Sequence, residues 1–215
     1  LTLLISIPVG IVSAVKRGSF LDRALTVLVF LGFAMPSFWL ALLLMLYFGI
    51  DLGWLPLSGL TSMDYAQLSP LGKAWDIAKH LALPILVGLV GSIAGTSRFL
   101  RSSMLEVLRQ DYMTTARAKG LKEKVVINKH AFRNTMIPLV TSMAGLLPSL
   151  FSGAIITEQV FDLPGIGNVA FKAMMQADIP FIMGYNMFLA LLSVMGVLLA
   201  DLMYVIVDPR VKLAK

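Results

Sequence analysis

The sequence predicts an all-α, polytopic membrane bundle, and three observations carry that prediction. Of its 215 residues 58% are hydrophobic and only 14% charged, with a mean hydropathy of +0.84; a soluble domain of this length needs far more charge to cover its surface. The apolar residues gather in five segments, Leu1–Val15, Ala24–Ile50, His80–Leu100, Thr135–Thr157 and Met183–Val207. Most reach the ~20 residues a spanning helix needs, and none shows the alternating ~10-residue period of a membrane barrel. The stretches between them alternate strictly in net charge: +2 for Lys16–Arg23, −1 for Asp51–Lys79, +6 for Arg98–Asn134, −2 for Glu158–Ile182 and +2 for Asp208–Lys215. Residues 1–215 are read as one transmembrane domain.

Taken in order, Leu1–Val15 gives a helix of only about 22 Å against a hydrocarbon core of about 30 Å. It reads as a truncated span, the chain being a piece that lacks its N-terminal part. Ala24–Ile50 is over-long for a straight span, so it is expected to tilt or bend, with Pro36 as the place for a kink. The stretch 51–79 carries Trp54 and Trp75, which suit the lipid–water boundary. In the third segment Gly91-Ser92-Ile93-Ala94-Gly95 offers small residues for helix packing. Pro148, inside the fourth, removes one backbone hydrogen bond and is expected to mark a bend. Phe161–Gly167 reads as a turn, because Pro164 fixes one backbone angle and the glycines permit the others. Residues 168–176 follow as a short interfacial helix.

Basic stretches face the cytoplasm by the positive-inside rule. Leu1 is therefore placed outside, and residues 98–134 and the C-terminus inside. The same alternation accounts for the net charge of +6, so nucleic-acid binding is not needed to explain it. With no cysteine and only His80 and His130, placed on opposite sides of the membrane, no metal site is expected. No Ser-His-Asp or paired-carboxylate spacing suggests catalysis. The chain has no Gly-x-x-x-x-Gly-Lys-Ser/Thr: Gly72-Lys73 is followed by Ala74 and preceded by no suitably placed glycine.

One hydrophilic island, residues 111–138, stands among these apolar runs. Asp111 is expected as the N-cap of a short helix, its carboxylate accepting amides of the first turn. Lys119 falls in the last turn, where a cation complements the dipole, and Gly120 follows as a left-handed C-cap. A second helix is expected from near Lys122 towards Asn134, with Pro138 opening the next apolar run. Asp111–Gly120 shows no clean apolar stripe: Tyr112, Met113, Ala116 and Ala118 are interspersed with Thr114, Thr115, Arg117 and Lys119. That pattern suits insertion into a cleft of a folded partner. The alternative is a basic amphipathic helix resting on anionic membrane lipid, which normally shows a clean stripe.

The order Thr-Ala-Arg-Ala-Lys-Gly-Leu (115–121), then Lys-His-Ala-Phe-Arg-Asn-x-x-Ile-Pro (129–138), resembles the cytoplasmic coupling loop of ABC-transporter permeases. The likeness is to the dipeptide/oligopeptide/nickel importer branch, and it extends through Phe161–Gly167 and Val207–Arg210. The Glu-Ala-Ala-x-x-x-Gly core general to permeases is replaced here by Thr114-Thr115-Ala116 followed by Gly120, a departure usual in the peptide branch. The resemblance implies that Asp111, Tyr112, Thr114, Thr115, Ala116, Arg117, Ala118, Lys119, Gly120 and Leu121 dock into a nucleotide-binding ATPase subunit. It further implies that ATP and magnesium are bound by that partner, that a second permease subunit completes the pore, and that an external solute-binding protein delivers peptides, nickel or another small solute. One more span and a sizeable external segment are implied before Leu1.

Four residues are candidates for lining a pathway. Glu158 and Gln159 sit where the fourth span meets the outside, their other reading being ordinary interfacial residues. Asn186 and Asp201 lie in the last span. A carboxylate in hydrocarbon costs a few kcal/mol, so Asp201 is expected to face water or, preferably, to form an ion pair or hydrogen bond near the cytoplasmic surface. An ion-coupled secondary transporter is the alternative class, for which Asp201 is the one serious coupling residue.

Overall fold

A computed structural model describes the backbone of residues 1–207 and, among these, every side chain except those of Ile137, Met143 and residues 205–207. The Val207–Arg210 motif past Val207 and the basic tail lie outside the described residues. Among the described residues the regular structure is entirely helical. The elements are α1 (Thr2–Val15), α2 (Phe20–Ala34), α3 (Ser37–Leu44), α4 (Pro70–Leu108), α5 (Asp111–Ala118), α6 (Glu123–Val125), α7 (Phe132–Met143), α8 (Leu146–Phe151), α9 (Ile155–Val160), α10 (Ile166–Met175) and α11 (Ile179–Val207). Wider π-helical turns continue α3 over Met45–Asp51 and join α6 to α7 over Val126–Ala131.

Two unbroken helices, Pro70–Leu108 and Ile179–Tyr204, are long and apolar enough to cross a membrane, and two interrupted pairs bring the number to four when each is taken as one span. α1, with 14 residues, is shorter. The kink expected at Pro36 is a complete interruption: α2 ends at Ala34 and α3 starts at Ser37. Pro36 restricts the residue before it to extended backbone, which stops α2.

α4 overruns its expected boundaries at both ends. It begins with Pro70 in the first helical position, where the missing N–H costs nothing, and the Ser69 Oγ accepts the Gly72 N–H at 3.2 Å. At 39 residues it is about 58 Å long, nearly twice the hydrocarbon thickness, so its polar ends emerge on both sides.

The chain forms two compact units. The first comprises, among the described residues, 1–32, 92–148 and 190–207. Here Ser6, Gly10, Ser13 and Ala14 give α1 a buried stripe of small residues. A Cβ on Gly10 would lie 2.7 Å from the Leu100 Cβ, so only glycine lets the two helices meet this closely. Of the small residues of α4, Gly91 and Gly95 do not play this part, since added Cβ atoms there would meet nothing within 4 Å, whereas Ala94 is buried and the Ile93 carbonyl accepts the Ser6 hydroxyl at 3.4 Å.

The bend expected at Pro148 lies earlier, at Ala144–Gly145 between α7 and α8. A Cβ on Gly196 of α11 would overlap the Ala144 carbonyl, so close helix approach belongs to this turn. Pro148 is the third residue of α8, where no intrahelical bond is lost. The helix expected to stop near Asn134 instead continues through Pro138 to Met143. Continuation keeps backbone groups paired as the chain becomes apolar.

The second unit comprises 33–91 and 149–189. Its core joins Ala41, Leu83, Val87 and Phe161, with Leu40, Phe48 and Leu163 packed around them. The Phe161 carbonyl also accepts the Gly59 N–H at 2.8 Å, fixing the 51–69 connection to the loop before α10.

Candidate functional site

The chain leaves α4 at Leu108 and turns at Gln110, whose extended backbone (φ −73°, ψ 147°) starts α5. Gln110, not Asp111, is therefore the N-cap residue. Asp111 is the first residue inside the helix, and the Gln110 side chain makes no cap bond among the described residues. Its carboxylate still stands in the first turn, where it complements the dipole. At the other end the expectation holds: Lys119 is the C-cap and Gly120 adopts φ +73°. The Lys119 N–H bonds to the Thr115 carbonyl (3.1 Å) and the Gly120 N–H to that of Arg117 (2.9 Å), closing the last turn.

Beyond Gly120, Arg117 donates to both carboxylate oxygens of Glu123, at 3.2 and 3.0 Å. This fork links α5 to the first turn of α6. Its stability contribution is small because both side chains are exposed.

One expectation about α5 is overturned. The helix does have an apolar face, made by Met113 (0% exposed) and Ala116 (7%) three residues apart. That face packs within this chain, in a core formed with Ala14 of α1, Met104 of α4, and Val126 and Ala131 of the π-turn. The Thr135 hydroxyl closes this core from below, donating to the Ala131 carbonyl at 3.0 Å and reaching the Met104 sulfur at 3.1 Å. Ala116 is thus a foundation residue with no surface left for a partner. Two apolar residues in an eight-residue helix make too narrow a stripe for sequence inspection to separate from scatter.

The face turned to solvent carries Asp111, Tyr112, Thr114, Thr115, Arg117, Ala118, Lys119, Gly120 and Leu121. The Thr115 hydroxyl is turned back to the Asp111 carbonyl (3.1 Å), so its methyl is what it offers outward. Partial burial pushes the Tyr112 phenol up from its usual range, against a hydrogen bond with Asn134 that opposes the shift. The outcome is a short, capped helix seated on a buried apolar bed, presenting a mixed and mostly small-residue surface.

The pathway candidates separate. Glu158 is buried and engaged: its Oε1 accepts the Ala154 N–H (2.8 Å) and its Oε2 the Asn168 N–H (2.7 Å). Ala154 is the N-cap of α9 and Asn168 lies in the first turn of α10, so one carboxylate caps two helices. Gln159 joins the same network by donating to the Asn168 Oδ1 at 2.8 Å. These bonds assign Glu158 to the fold of the Phe161–Gly167 turn and leave it no face for a pathway. Asn186 is exposed on α11, outside this network. Asp201 is also exposed, and among the described residues nothing pairs with it, so the preferred expectation of an ion pair is not met there.

A cluster that sequence inspection missed lies at the α1–α2 hairpin. Asp22, 4% exposed, accepts two bonds from Arg101 of α4, Nε at 3.0 Å and Nη2 at 3.1 Å. It also accepts the Gly18 N–H at 2.9 Å and the Ser13 hydroxyl. The available signal was an acid and an arginine, each about one turn from an apolar run, on stretches assigned to the same side.

Comparison with known proteins places the chain firmly. The family described as binding-protein-dependent transport system inner membrane component matches residues 6–213. The chain is 41% identical over 212 residues to the oligopeptide transport system permease protein AppB of Bacillus subtilis, covering 99% of this chain and 66% of the relative. It is 41% identical to a putative peptide permease protein of Brucella suis, with 99% and 65% covered. To the dipeptide transport system permease protein DppB of Alkalihalophilus pseudofirmus it is 39% identical over 224 residues, covering 98% of this chain and 67% of the relative. The chain thus spans about 65% of the length of the first of these relatives.

Proposed function

Because this chain belongs to the family of binding-protein-dependent transport system inner membrane components, we propose that it supplies membrane helices to an ATP-driven importer of peptides. In this reading α5 docks into a separate ATPase subunit, a second permease completes the pathway, and an external binding protein presents the solute. The peptide class rests on the names of the relatives, oligopeptide and dipeptide permeases. The chain itself contains no nucleotide-binding motif, which suits a subunit driven by a partner's ATP.

The observation that carries the proposal is the construction of α5. It is polar where exposed, capped at Gly120 and bedded on a core shared with α1, α4 and the π-turn. Through that core a force applied to its outer face would reach α1, α4 and the π-turn. ATP-driven closure of the ATPase pair would move α5 as a rigid body, exchanging inward-open and outward-open arrangements. Solute shifts that exchange only through its different affinity for the two states.

The test uses the full-length permease with its partner subunits in liposomes. Ala118→Glu places a charge on the exposed face of α5 without touching the buried one. It is expected to lower recovery of the ATPase on purification and to abolish substrate-stimulated ATP hydrolysis while membrane insertion stays normal. Wild-type recovery and stimulation in this variant would remove α5 from the coupling role.

A further inference from the structure

Within the first unit α1, α2 and α4 line a partly open cavity of about 210 Å³, whose wall is mostly apolar on α2 and mostly polar on α4. Leu25, Val29 and Phe30 of α2 give an apolar side, and Ser97, Arg98 and Arg101 of α4 a polar one. Ser97 and Arg101 lie one turn apart on the same face of α4. The Arg98 guanidinium stands over the Phe30 ring, 5.5 Å from its centre, where the two sides meet.

Two details point to a ligand. Ser97 is 2% exposed, and among the described residues its hydroxyl has no hydrogen-bond partner. A buried hydroxyl is costly when unpaired, so one lining a cavity calls for an acceptor inside it. Arg101 spends Nε and Nη2 on Ser13 and Asp22, and among the described residues no acceptor engages its Nη1. Two arginines thus stand at the wall, with the Asp22 carboxylate bound to Arg101.

We propose that this cavity binds an anionic membrane phospholipid: the phosphate takes the Ser97 hydroxyl and the two guanidinium groups, and an acyl chain lies along Leu25, Val29 and Phe30. The residues sit where the apolar run of α4 gives way to the long basic stretch from Arg98, which is the level of lipid phosphates. A free phosphate would satisfy the polar side and leave the apolar side bare. The proposal concerns a site away from α5 and stands or falls separately from the coupling role.

The experiment takes the purified full-length permease complex, delipidated in detergent, and titrates phosphatidylglycerol, phosphatidylcholine or inorganic phosphate. Bound lipid is read by native mass spectrometry and stabilisation by thermal unfolding. Phosphatidylglycerol is expected to bind and stabilise, phosphatidylcholine to do so more weakly, and inorganic phosphate to have no effect. Ser97→Ala and Arg98→Gln each remove a donor to a charged group, so each is expected to weaken phosphatidylglycerol binding about tenfold. Val29→Trp fills the apolar side and is expected to expel the lipid with both arginines intact, which keeps the test decisive should a polar variant misfold. Equal binding of both lipids unaffected by the variants would overturn the site. Equal stabilisation by phosphate alone would make it a free-anion site and overturn the lipid assignment.

Discussion

Arg101, near the end of α4, holds Asp22, in the first turn of α2, with two parallel hydrogen bonds of 3.0 and 3.1 Å. The geometry is that of a guanidinium fork on a carboxylate. Ser19 Oγ accepts the Asp22 N–H at 3.2 Å, so a helix cap also holds the backbone that carries the acid. Arg101 lies ten residues ahead of α5, and Ser13, which shares its Nε, is one residue from Ala14 in the bed beneath α5. The hairpin, the end of α4 and α5 are therefore joined through adjoining contacts.

Breaking that fork should loosen these contacts. Asp22→Asn leaves the guanidinium without its counter-charge, and loss of one partner of a buried ion pair costs about 3 kcal/mol. Arg101 is partly exposed, which places the effect at the lower end. The expected result is a lower unfolding temperature for Asp22→Asn. An unchanged melting curve would show that the pair is idle.

Two substitutions at α5 should fail in different ways. Ala116→Glu puts a charge into the core with Met104, Met113 and Val126, and an unpaired buried charge is not tolerated. Folded yield should collapse, detected by fluorescence-monitored size exclusion. Gly120→Val meets no neighbour, since an added Cβ there contacts nothing within 4 Å, but it must hold φ +73°. That strain is of order 1–3 kcal/mol, relieved if the loop after α5 reorients. The protein should fold, with ATP hydrolysis no longer linked to uptake. Normal coupling in Gly120→Val would mean that the exit angle of α5 does not matter.

Glu158→Gln replaces one of two carboxylate acceptors by an amide that cannot accept. One capped N–H loses its partner, at a cost of about 1–3 kcal/mol. Stability should fall while transport per folded molecule stays near wild type. Transport lost at unchanged stability would return Glu158 to the pathway.

Asp201 has no described partner and is exposed on α11. A carboxylate in such a helix requires water or protein beside it. Asp201→Asn should therefore leave the folded yield of the isolated subunit unchanged, its effect appearing in assembly with a second subunit or in uptake. A large drop in the yield of the subunit alone would indicate a partner within the chain.

Topology can be read with single cysteines in this cysteine-free chain. Met63 is fully exposed, whereas its neighbour Ser62 donates its backbone N–H to Asp76 at 2.9 Å. Met63→Cys and Gln176→Cys should react with an impermeant thiol reagent added outside, and Lys122→Cys should not. Labelling of Lys122→Cys from outside would invert the orientation.

The sequence by itself determined the membrane class, the order of the apolar segments and the place of the polar island. These follow from composition, length and charge, which act locally and leave a direct trace in the chain. The Gly120 cap was legible for the same reason, because a left-handed turn demands its residue wherever the fold carries it. Only the tertiary structure decided which face of α5 is buried, since Met113 and Ala116 acquire their meaning from Ala14, roughly a hundred residues away in sequence. It also decided that Glu158 caps two helices and that Asp22 and Arg101 are partners. A side chain records its own chemistry, whereas its neighbours are chosen by packing, and hydrogen-bond geometry at 3 Å exists only after the helices have met.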